Sequence, residues 1–415
     1  MKRLFWSAAI AAALALPSAM AQQTTPEGYS LQQVVIVSRH GIRAPLTNNG
    51  SALAQATAKP WPTWKVAGGE LTDRGALVEI FFAHQMRKWM THEKVLSTEQ
   101  CPTKKQFFVW ANSLPRTHDT AQFFVSNTFI ACDVPIFHQR KMGEMDLLFN
   151  PVITEDNEAF RQQAVAAMEA SRQRVDLTES YKLLEQIVDY SASPACKAQS
   201  GKPCTLSDEK DSFRADYRLE PSLSGPLKTA NALVDAFTLQ YYEGFPQDEV
   251  AFGGIKSDKQ WQLLEKLKNS YQSILFTTPE VARNVAKPLL DYLDQQLVEK
   301  PAAAPKVTLL VGHDSNIASL LVALDTKPWQ LPGQFEQTPI SGKVVFQRWH
   351  DNKSNRDLMK IEYLYFTAEQ MRNVAKMGFD SPVQRYTLEL TGCPTDSNGF
   401  CPMEKFSEVM RKVAK

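Results

Sequence analysis

The sequence predicts an α/β fold in which a mixed, largely parallel sheet is flanked by helices and carries an inserted, smaller, mostly helical domain. Two observations predict this fold. The runs 34–37 and 307–311 are short, apolar and rich in β-branched residues, as buried parallel strands are. The stretch 141–259 between them is dominated by residues that favour helices. A helical unit is therefore predicted inside an α/β domain.

Each of the two predicted strands is followed by a predicted helix. The first strand, 34–37, is followed by a helix predicted at 71–90, where Thr72 is a candidate N-cap and apolar residues share one face. The second strand, 307–311, leads into a helix predicted at 317–324, whose N-terminus would point at the polar residues between them. Further helices are predicted at 157–190, 227–242 and 261–275.

The N-terminal segment has the pattern of a secretory signal peptide. Two basic residues precede an apolar run at 4–16, and small residues stand at the positions that signal peptidase reads. The run is too short to span a bilayer comfortably, and no later stretch reaches that length. We therefore expect cleavage after Ala21, a mature chain that starts at Gln22, export to the periplasm and no membrane association of the mature protein.

The remaining chain is expected to form two domains. Residues 22–140 and 260–415 would build the α/β domain that carries the polar ends of both strands. Residues 141–259 would form the inserted helical domain and cover the pocket at those strand ends.

Composition excludes several classes of protein. The chain has 415 residues, with 46 basic and 45 acidic side chains, so it lacks the positive charge of a nucleic-acid-binding protein. Hydrophobic residues make up 43% and charged residues 22%, which excludes a largely disordered chain. A small molecule is the expected partner, and the sequence makes no prediction of oligomeric state.

The six cysteines are expected to form disulfides, because their number is even and the predicted compartment is oxidising. Fifteen pairings are open to six cysteines, and two pairs lie only eight residues apart around polar loops. Sequential pairing is the interpretation that we favour: Cys101–Cys132, Cys196–Cys204 and Cys393–Cys401. No C-x-x-C or close His-x₃-His spacing occurs, so no metal site is predicted.

Polar clusters follow both predicted strands directly. The first, at 38–45, is Ser-Arg-His-Gly-Ile-Arg-Ala-Pro, and it places His40 between Arg39 and Arg43. Neighbouring guanidiniums disfavour an imidazolium, so the pKa of His40 should be lowered and a neutral nitrogen left free as nucleophile or base. Guanidiniums also match phosphate oxygens. The alternative is a solvated basic turn without catalytic function.

These clusters resemble the signature of the histidine acid phosphatase family. R-H-G-x-R-x-P is present at 39–45, and the second hallmark, a His-Asp pair after an apolar strand, is present at His313 and Asp314. The resemblance implies that His40 is the nucleophile, which becomes a transient phosphohistidine, and that Asp314 protonates the departing alcohol. It further implies that the substrate is bound by Arg39, Arg43, Arg116, His313 and Glu220.

The expected function is that of an exported acid phosphomonoesterase with no cofactor and no metal. Three arginines and a protonated histidine would supply the positive charge that phosphoryl transfer requires. The expected substrates are sugar phosphates such as glucose 1-phosphate, with possible partial hydrolysis of phytate. Two alternatives stay open: a dedicated phytase that acts on inositol polyphosphates, and a periplasmic protein that binds phosphate esters without turnover.

Overall fold

The computed structural model describes residues 25, 27–46, 50–97, 99–198 and 204–413. The predicted signal peptide and the predicted mature start at Gln22 lie outside these residues. Within them, no helix is both long enough and apolar enough to cross a membrane.

The centre of the molecule is a mixed β-sheet. Its strands are β1 (Tyr29–Arg39), β2 (Phe107–Ala111), β3 (Ile136–Phe137), β6 (Val307–Gly312), β7 (Lys343–Asp351), β8 (Arg356–Tyr365), β9 (Gln384–Leu388) and β10 (Cys401–Pro402), and a separate hairpin is formed by β4 (Ser212–Arg214) and β5 (Ser222–Ser224). The order is β10-β8-β7-β1-β6-β2-β3, with β9 also paired to β8. Strands β1, β6, β2 and β3 pair in parallel, and β7 to β10 extend the sheet with antiparallel pairs. The predicted mixed α/β class is confirmed.

The two predicted strands lie side by side at the centre of this sheet. Val34 pairs with Val307 and Arg39 with Gly312, so β1 and β6 end at the same level. Both strands are buried along their shared length, which explains their nearly continuous apolar sequence. The polar residues that follow the two strands are therefore brought together at one edge of the sheet.

Helices cover both faces of the sheet and form an additional layer. They are α1 (Gly50–Ala56), α2 (Asp73–His92), α3 (Pro115–Thr128), α4 (Glu158–Gln173), α5 (Thr178–Val188), α6 (Pro194–Lys197), α7 (Pro226–Glu243), α8 (Asp258–Phe276), α9 (Pro279–Asp294), α10 (Asp314–Ala323), α11 (Ala368–Arg372) and α12 (Met403–Val413). The predicted N-cap of α2 is present, since the Thr72 hydroxyl accepts a hydrogen bond from the Gly75 N–H at 3.0 Å.

Helix α10 begins earlier than the sequence predicts. It starts at Asp314 instead of residue 317, with His313 at the N-cap position. The Asn316 side chain accepts a hydrogen bond from the His313 N–H at 2.9 Å, and Asp314 lies in the first turn, where a carboxylate is favoured. The polar cluster is thus the first turn of the helix and not a loop before it.

Three hydrophobic clusters hold the layers together. Because side chains alternate along a strand, Val34 and Ile36 pack beneath α2 and α3, whereas Val35 and Val37 pack against α9, α10 and α12. The third cluster joins α4, α5, α7 and α8, and so extends beyond residue 259 into α8. The helical layer built on it stands beside the edge of the sheet where β1 and β6 end.

Three disulfides join the cysteines in sequential order, as predicted. Their Cα–Cα distances are 5.4 Å for Cys101–Cys132, 5.5 Å for Cys196–Cys204 and 5.7 Å for Cys393–Cys401. These distances lie within the range that a disulfide requires.

Candidate active site

The backbone around His40 is held from two sides. Its N–H donates to the carbonyl of Gly312 at the end of β6, at 3.0 Å, and its carbonyl accepts from the N–H of Ser341, also at 3.0 Å. The Arg39 N–H donates to the Gly342 carbonyl at 2.9 Å. The loop that carries Arg39, His40 and Arg43 (residues 39–45, the catalytic loop) is therefore fixed between β6 and the segment that precedes β7.

The imidazole of His40 has a defined tautomer. Its Nδ1 lies 2.9 Å from the carbonyl oxygen of Gly41, and because a carbonyl only accepts, Nδ1 carries the proton. Nε2 is then the nitrogen with the free lone pair. A Cβ atom at position 41 would lie 2.7 Å from Leu71 Cδ1, so a larger residue there would displace the end of that leucine side chain.

The pKa of His40 is lowered well below 6.5. Burial is the largest cause, because His40 is only 3% exposed, and the positive charges of Arg116, Arg43 and Arg39 follow in that order. The predicted direction is therefore found, although burial and Arg116 contribute more than the two sequence neighbours. The nucleophilic nitrogen stays unprotonated in mildly acidic solution.

Three arginines surround His40, and two of them are paired with carboxylates. Arg39 contacts Asp314 at 3.2 Å and Glu336 at 2.7 Å, and Arg43 contacts Asp235 at 3.1 Å. The Nε atoms of these two arginines and of Arg116 are buried without a hydrogen-bond partner among the described residues. Each guanidinium thus keeps at least one donor unused, as a site for an oxyanion requires.

The third arginine, Arg116, lies in the first turn of α3. No carboxylate in the described part of the chain is within ion-pair distance of it. Burial and the nearby Arg43 lower its pKa to about 10, so it keeps its charge at any pH relevant to the protein. Arg116 is therefore a cation whose charge no adjacent carboxylate neutralises.

His313 is held in the opposite tautomer to His40 by Asn112. The Asn112 side-chain oxygen accepts from two backbone N–H groups, so its Nδ2 donates to His313 Nε2 at 2.6 Å. The proton of neutral His313 then sits on Nδ1, which lies 3.4 Å from Arg116 Nη2. Two donors this close can share one acceptor, and a phosphate oxygen would satisfy both.

The sequence predicts a protonated histidine at the site, but the surroundings of His313 in this structure favour its neutral form. Burial, and then the charges of Arg116, Arg39 and Arg43, lower the pKa of His313 well below 6.5. Neutral His313 still donates a hydrogen bond from Nδ1. The positive charge at the site comes from arginine and lysine side chains instead.

Asp314 is partly accessible to solvent. Its side chain is 35% exposed, whereas that of its partner Arg39 is only 2% exposed. One carboxylate oxygen accepts from the N–H of Ser315 at 2.9 Å, and the other faces Arg39. Asp314 is thus oriented by two donors and remains accessible to a group that enters the cavity.

The site opens into a cavity of about 440 Å³ between the sheet edge and the helical layer. His40, Arg43, Arg116, His313, Asp314 and Glu220 line it, and Arg39 lies behind Asp314. The side chain of Glu220 reaches solvent, but partial burial and the nearby Asp314 raise its pKa. All seven residues singled out in the sequence are therefore brought to one place.

Several residues of the site carry no sequence signal. Lys268 of α8, Asp235 of α7, Glu336 and Asn112 are buried at the site, but none belongs to a recognisable motif. They come from four separate segments. Only the general rule that buried arginines need carboxylate partners could have indicated that such residues exist, without saying where.

No group of three His, Cys, Asp or Glu side chains in the described residues is arranged to hold a metal ion. The neighbouring acids at the site, Asp314, Asp235 and Glu336, are each paired with a basic side chain.

The chain is similar to known histidine phosphatases along most or all of its length. The model of the "Histidine phosphatase superfamily (branch 2)" matches residues 30–365. The chain is 58% identical over 415 residues to the glucose-1-phosphatase of Salmonella typhimurium, with 100% of both chains covered. It is 44% identical over 417 residues to the glucose-1-phosphatase of Providencia rettgeri, covering 100% of this chain and 99% of the relative.

The fold is also shared with solved phytase structures. The phytase from Citrobacter braakii superposes with a TM-score of 0.83 at 31% sequence identity, covering 94% of this chain and 98% of that one.

Proposed function

The chain belongs to branch 2 of the histidine phosphatase superfamily, and on this premise we propose that it hydrolyses glucose 1-phosphate by way of a phosphohistidine at His40. The relatives named glucose-1-phosphatase, similar along their whole length, support this substrate. The observation that carries the mechanism is the neutral His40, whose Nδ1 proton is bound to Gly41 and whose Nε2 is free, among three arginines.

In the first half-reaction, the Nε2 lone pair of His40 attacks phosphorus, and the bond from phosphorus to the sugar oxygen breaks. Asp314 donates its proton to that oxygen, so the sugar leaves as a neutral alcohol. Arg39, Arg43 and Arg116 stabilise the negative charge on the equatorial oxygens.

In the second half-reaction, a water molecule attacks the phosphohistidine. The Asp314 carboxylate accepts a proton from that water, and the N–P bond electrons return to Nε2 of His40. Inorganic phosphate is released, and both residues regain their starting protonation states. One carboxyl group thus serves as acid and then as base, as its accessible position permits.

The cavity wall beyond the phosphate site favours a sugar monophosphate. Helices α7 and α8 contribute four neutral polar side chains to this wall: Asn231, Asn269, Tyr271 and Gln272. Amide and hydroxyl groups suit the hydroxyls of a hexose. Each additional phosphate of an inositol polyphosphate needs its own cation, and this part of the wall has one basic residue, Lys228, together with an acid, Glu220.

A second candidate function is phytate hydrolysis. The similarity of the fold to a solved phytase supports it, and Lys228 offers one cation for a second phosphate. A binding protein without turnover is the third alternative. It is disfavoured because a binding protein needs neither a nucleophilic nitrogen nor an accessible acid.

We also propose that the enzyme acts in the periplasm and that residues 141–259 form the domain that covers the pocket. The signal-peptide pattern and three disulfides support export. Two residues within 141–259 reach the site: Asp235 pairs with Arg43, and Glu220 lies near Asp314 and Arg116. This arrangement supports the covering role.

The test is phosphate release by the mature protein at pH 4 to 7, with glucose 1-phosphate, phytate and p-nitrophenyl phosphate compared in the presence of a chelator. We expect turnover that is highest on the acid side, with glucose 1-phosphate preferred to phytate and no release by His40→Ala. A preference for phytate would replace the sugar-phosphate assignment. Tight binding without release would favour the binding protein.

A further inference from the structure

A buried lysine in the helical layer contacts the carboxylates that hold both catalytic-loop arginines. Lys268 Nζ on α8 lies 2.7 Å from Glu336 Oε1 and 3.0 Å from Asp235 Oδ1. Glu336 holds Arg39, and Asp235 holds Arg43. A single ammonium group therefore joins two ion pairs that approach the phosphate site from different sides.

These contacts form one continuous chain of charges. Its order is Asp314, Arg39, Glu336, Lys268, Asp235, Arg43. With Asp314 ionised, three cations alternate with three anions and the chain is neutral; with Asp314 protonated, the chain carries one net positive charge. Arg116 stands outside it. If Lys268 were absent, the chain would lose one positive charge beside the place where a phosphate must bind.

Burial makes this arrangement rigid. The side chain of Lys268 is 8% exposed, and those of Asp235 and Glu336 are 8% and 3% exposed. Burial opposes the charge of Lys268, but Glu336 and Asp235 outweigh it and raise the pKa of Lys268 above its usual value. Burial would raise the pKa of Asp235, but Arg43 and Lys268 outweigh it and lower that pKa below its usual range, so the carboxylate stays ionised. Lys268, Asp235 and Glu336 therefore stay charged in mildly acidic solution.

We propose that Lys268 is a positioning residue for phosphoryl transfer, which sets the spacing of Arg39 and Arg43 by bridging their carboxylate partners. This inference rests on the proposed function. It assigns to α8 a direct part in catalysis, because a shift of that helix would move both guanidiniums through Lys268. Any change in how the helical layer packs against the sheet domain would then also change the geometry of the phosphate site.

The experiment compares Lys268→Met, Lys268→Arg and Lys268→Gln in the full-length mature protein. We expect kcat for p-nitrophenyl phosphate to fall about 100-fold in Lys268→Met, as a misplacement of about 1 Å in catalytic groups does. Inorganic phosphate, measured by calorimetry, should bind about tenfold more weakly. Lys268→Arg keeps the charge and should restore most of both, whereas Lys268→Gln keeps hydrogen bonding alone and should not.

The control is Lys266→Met on the same helix, because Lys266 is exposed and donates to the Asp176 carbonyl at 2.6 Å, away from the site. Rates are normalised to the folded fraction, so a loss of stability is separated from a loss of positioning. Wild-type kinetics in Lys268→Gln or in the folded fraction of Lys268→Met would overturn the proposal. Turnover by the wild type tests the proposed function separately, and phosphate binding is measured without turnover.

Discussion

His40 and His313 lie close together but use opposite nitrogens. Their ring centroids are 5.6 Å apart at an interplanar angle of 66°. His40 binds Gly41 through Nδ1 and keeps Nε2 free, whereas His313 accepts from Asn112 at Nε2 and keeps its proton on Nδ1. One imidazole is therefore prepared to attack and the other to donate. The two tautomers differ because the surrounding fold gives each imidazole a different hydrogen-bond partner.

The role of Asp314 as proton donor predicts a dependence on the leaving group. Asp314→Asn should slow glucose 1-phosphate hydrolysis by about 10²–10⁴-fold, because a sugar oxygen needs a proton in order to leave. It should slow p-nitrophenyl phosphate hydrolysis much less, since nitrophenolate leaves without a proton. The measurement is kcat/KM for both substrates in the wild type and the variant.

The same substitution removes the Asp314–Arg39 ion pair, so phosphate affinity is the control for that effect. An equal loss of rate on both substrates would show that Asp314 acts on Arg39 and not as the acid.

At the scale of elements, a buried ion pair fixes α2 to the sheet beneath the catalytic loop. Lys343 Nζ of β7 contacts Glu79 Oε2 of α2 at 2.9 Å, and neither side chain is more than 1% exposed. Lys343 also donates to Ser38 Oγ at 2.9 Å and to the Ser341 carbonyl at 3.1 Å. The Ser341 N–H donates to the His40 carbonyl, so the ion pair helps to position the backbone that carries the nucleophile.

Removing one partner of this ion pair should lower the free energy of unfolding more than replacing both partners with apolar residues. Lys343→Met leaves Glu79 buried without its cation and should lower the free energy of unfolding by about 3–5 kcal/mol. Lys343→Met with Glu79→Leu removes both charges and should recover most of that loss. Urea unfolding at pH 6 measures both variants. If the double variant were as unstable as the single one, the desolvation argument would fail.

Helix α8 contributes to the packing of the helical layer and also supplies a charged residue to the site. The helix buries Trp261, Leu264 and Leu267 in the helical cluster and directs Lys268 to the site from the same element. Its apolar face fixes its position, and the position of the lysine follows. The effect of Lys268 on catalysis therefore depends on the core of the helical layer.

At the scale of the whole molecule, burial of two neutral histidines couples folding to pH. The pKa of His40 and of His313 is lowered in the folded state, while that of an unfolded histidine is about 6.5. Below that pH the unfolded chain binds more protons, so the stability present above about pH 6.5 is lost as the pH falls. Phosphate should counteract this loss, because a bound anion favours the imidazolium.

The test is the melting temperature between pH 4.5 and 7.5 for the wild type, His40→Ala and the exposed-site control His92→Ala. We expect the stability difference between His40→Ala and the wild type to change by about 1.4 kcal/mol per pH unit below 6.5, in favour of the variant. Glu265, whose pKa burial raises to about 7, contributes the opposite slope, but it is common to all three proteins. A difference independent of pH would show that His40 is not buried in its neutral form.

Features that depend on neighbouring residues in the chain could be predicted from the sequence. Short-range features were readable: the strands at 34–37 and 307–311, the cap at Thr72 and the two disulfides whose cysteines are 8 residues apart all depend on residues close together in the chain. Five of the seven candidate site residues meet because parallel strands β1 and β6 end together: Arg39, His40, Arg43, His313 and Asp314. Arg116 comes from α3, and Glu220 from the segment between β4 and β5.

The sequence by itself determined the α/β class, the catalytic-loop motif and its family, because periodicity, turn chemistry and motif spacing are local properties. Only the tertiary structure decided which carboxylates hold Arg39 and Arg43, that Lys268 joins them, and that His313 is neutral. Those outcomes depend on which distant groups share a buried, low-dielectric space, and pairing there is set by packing across the fold and not by position along the chain.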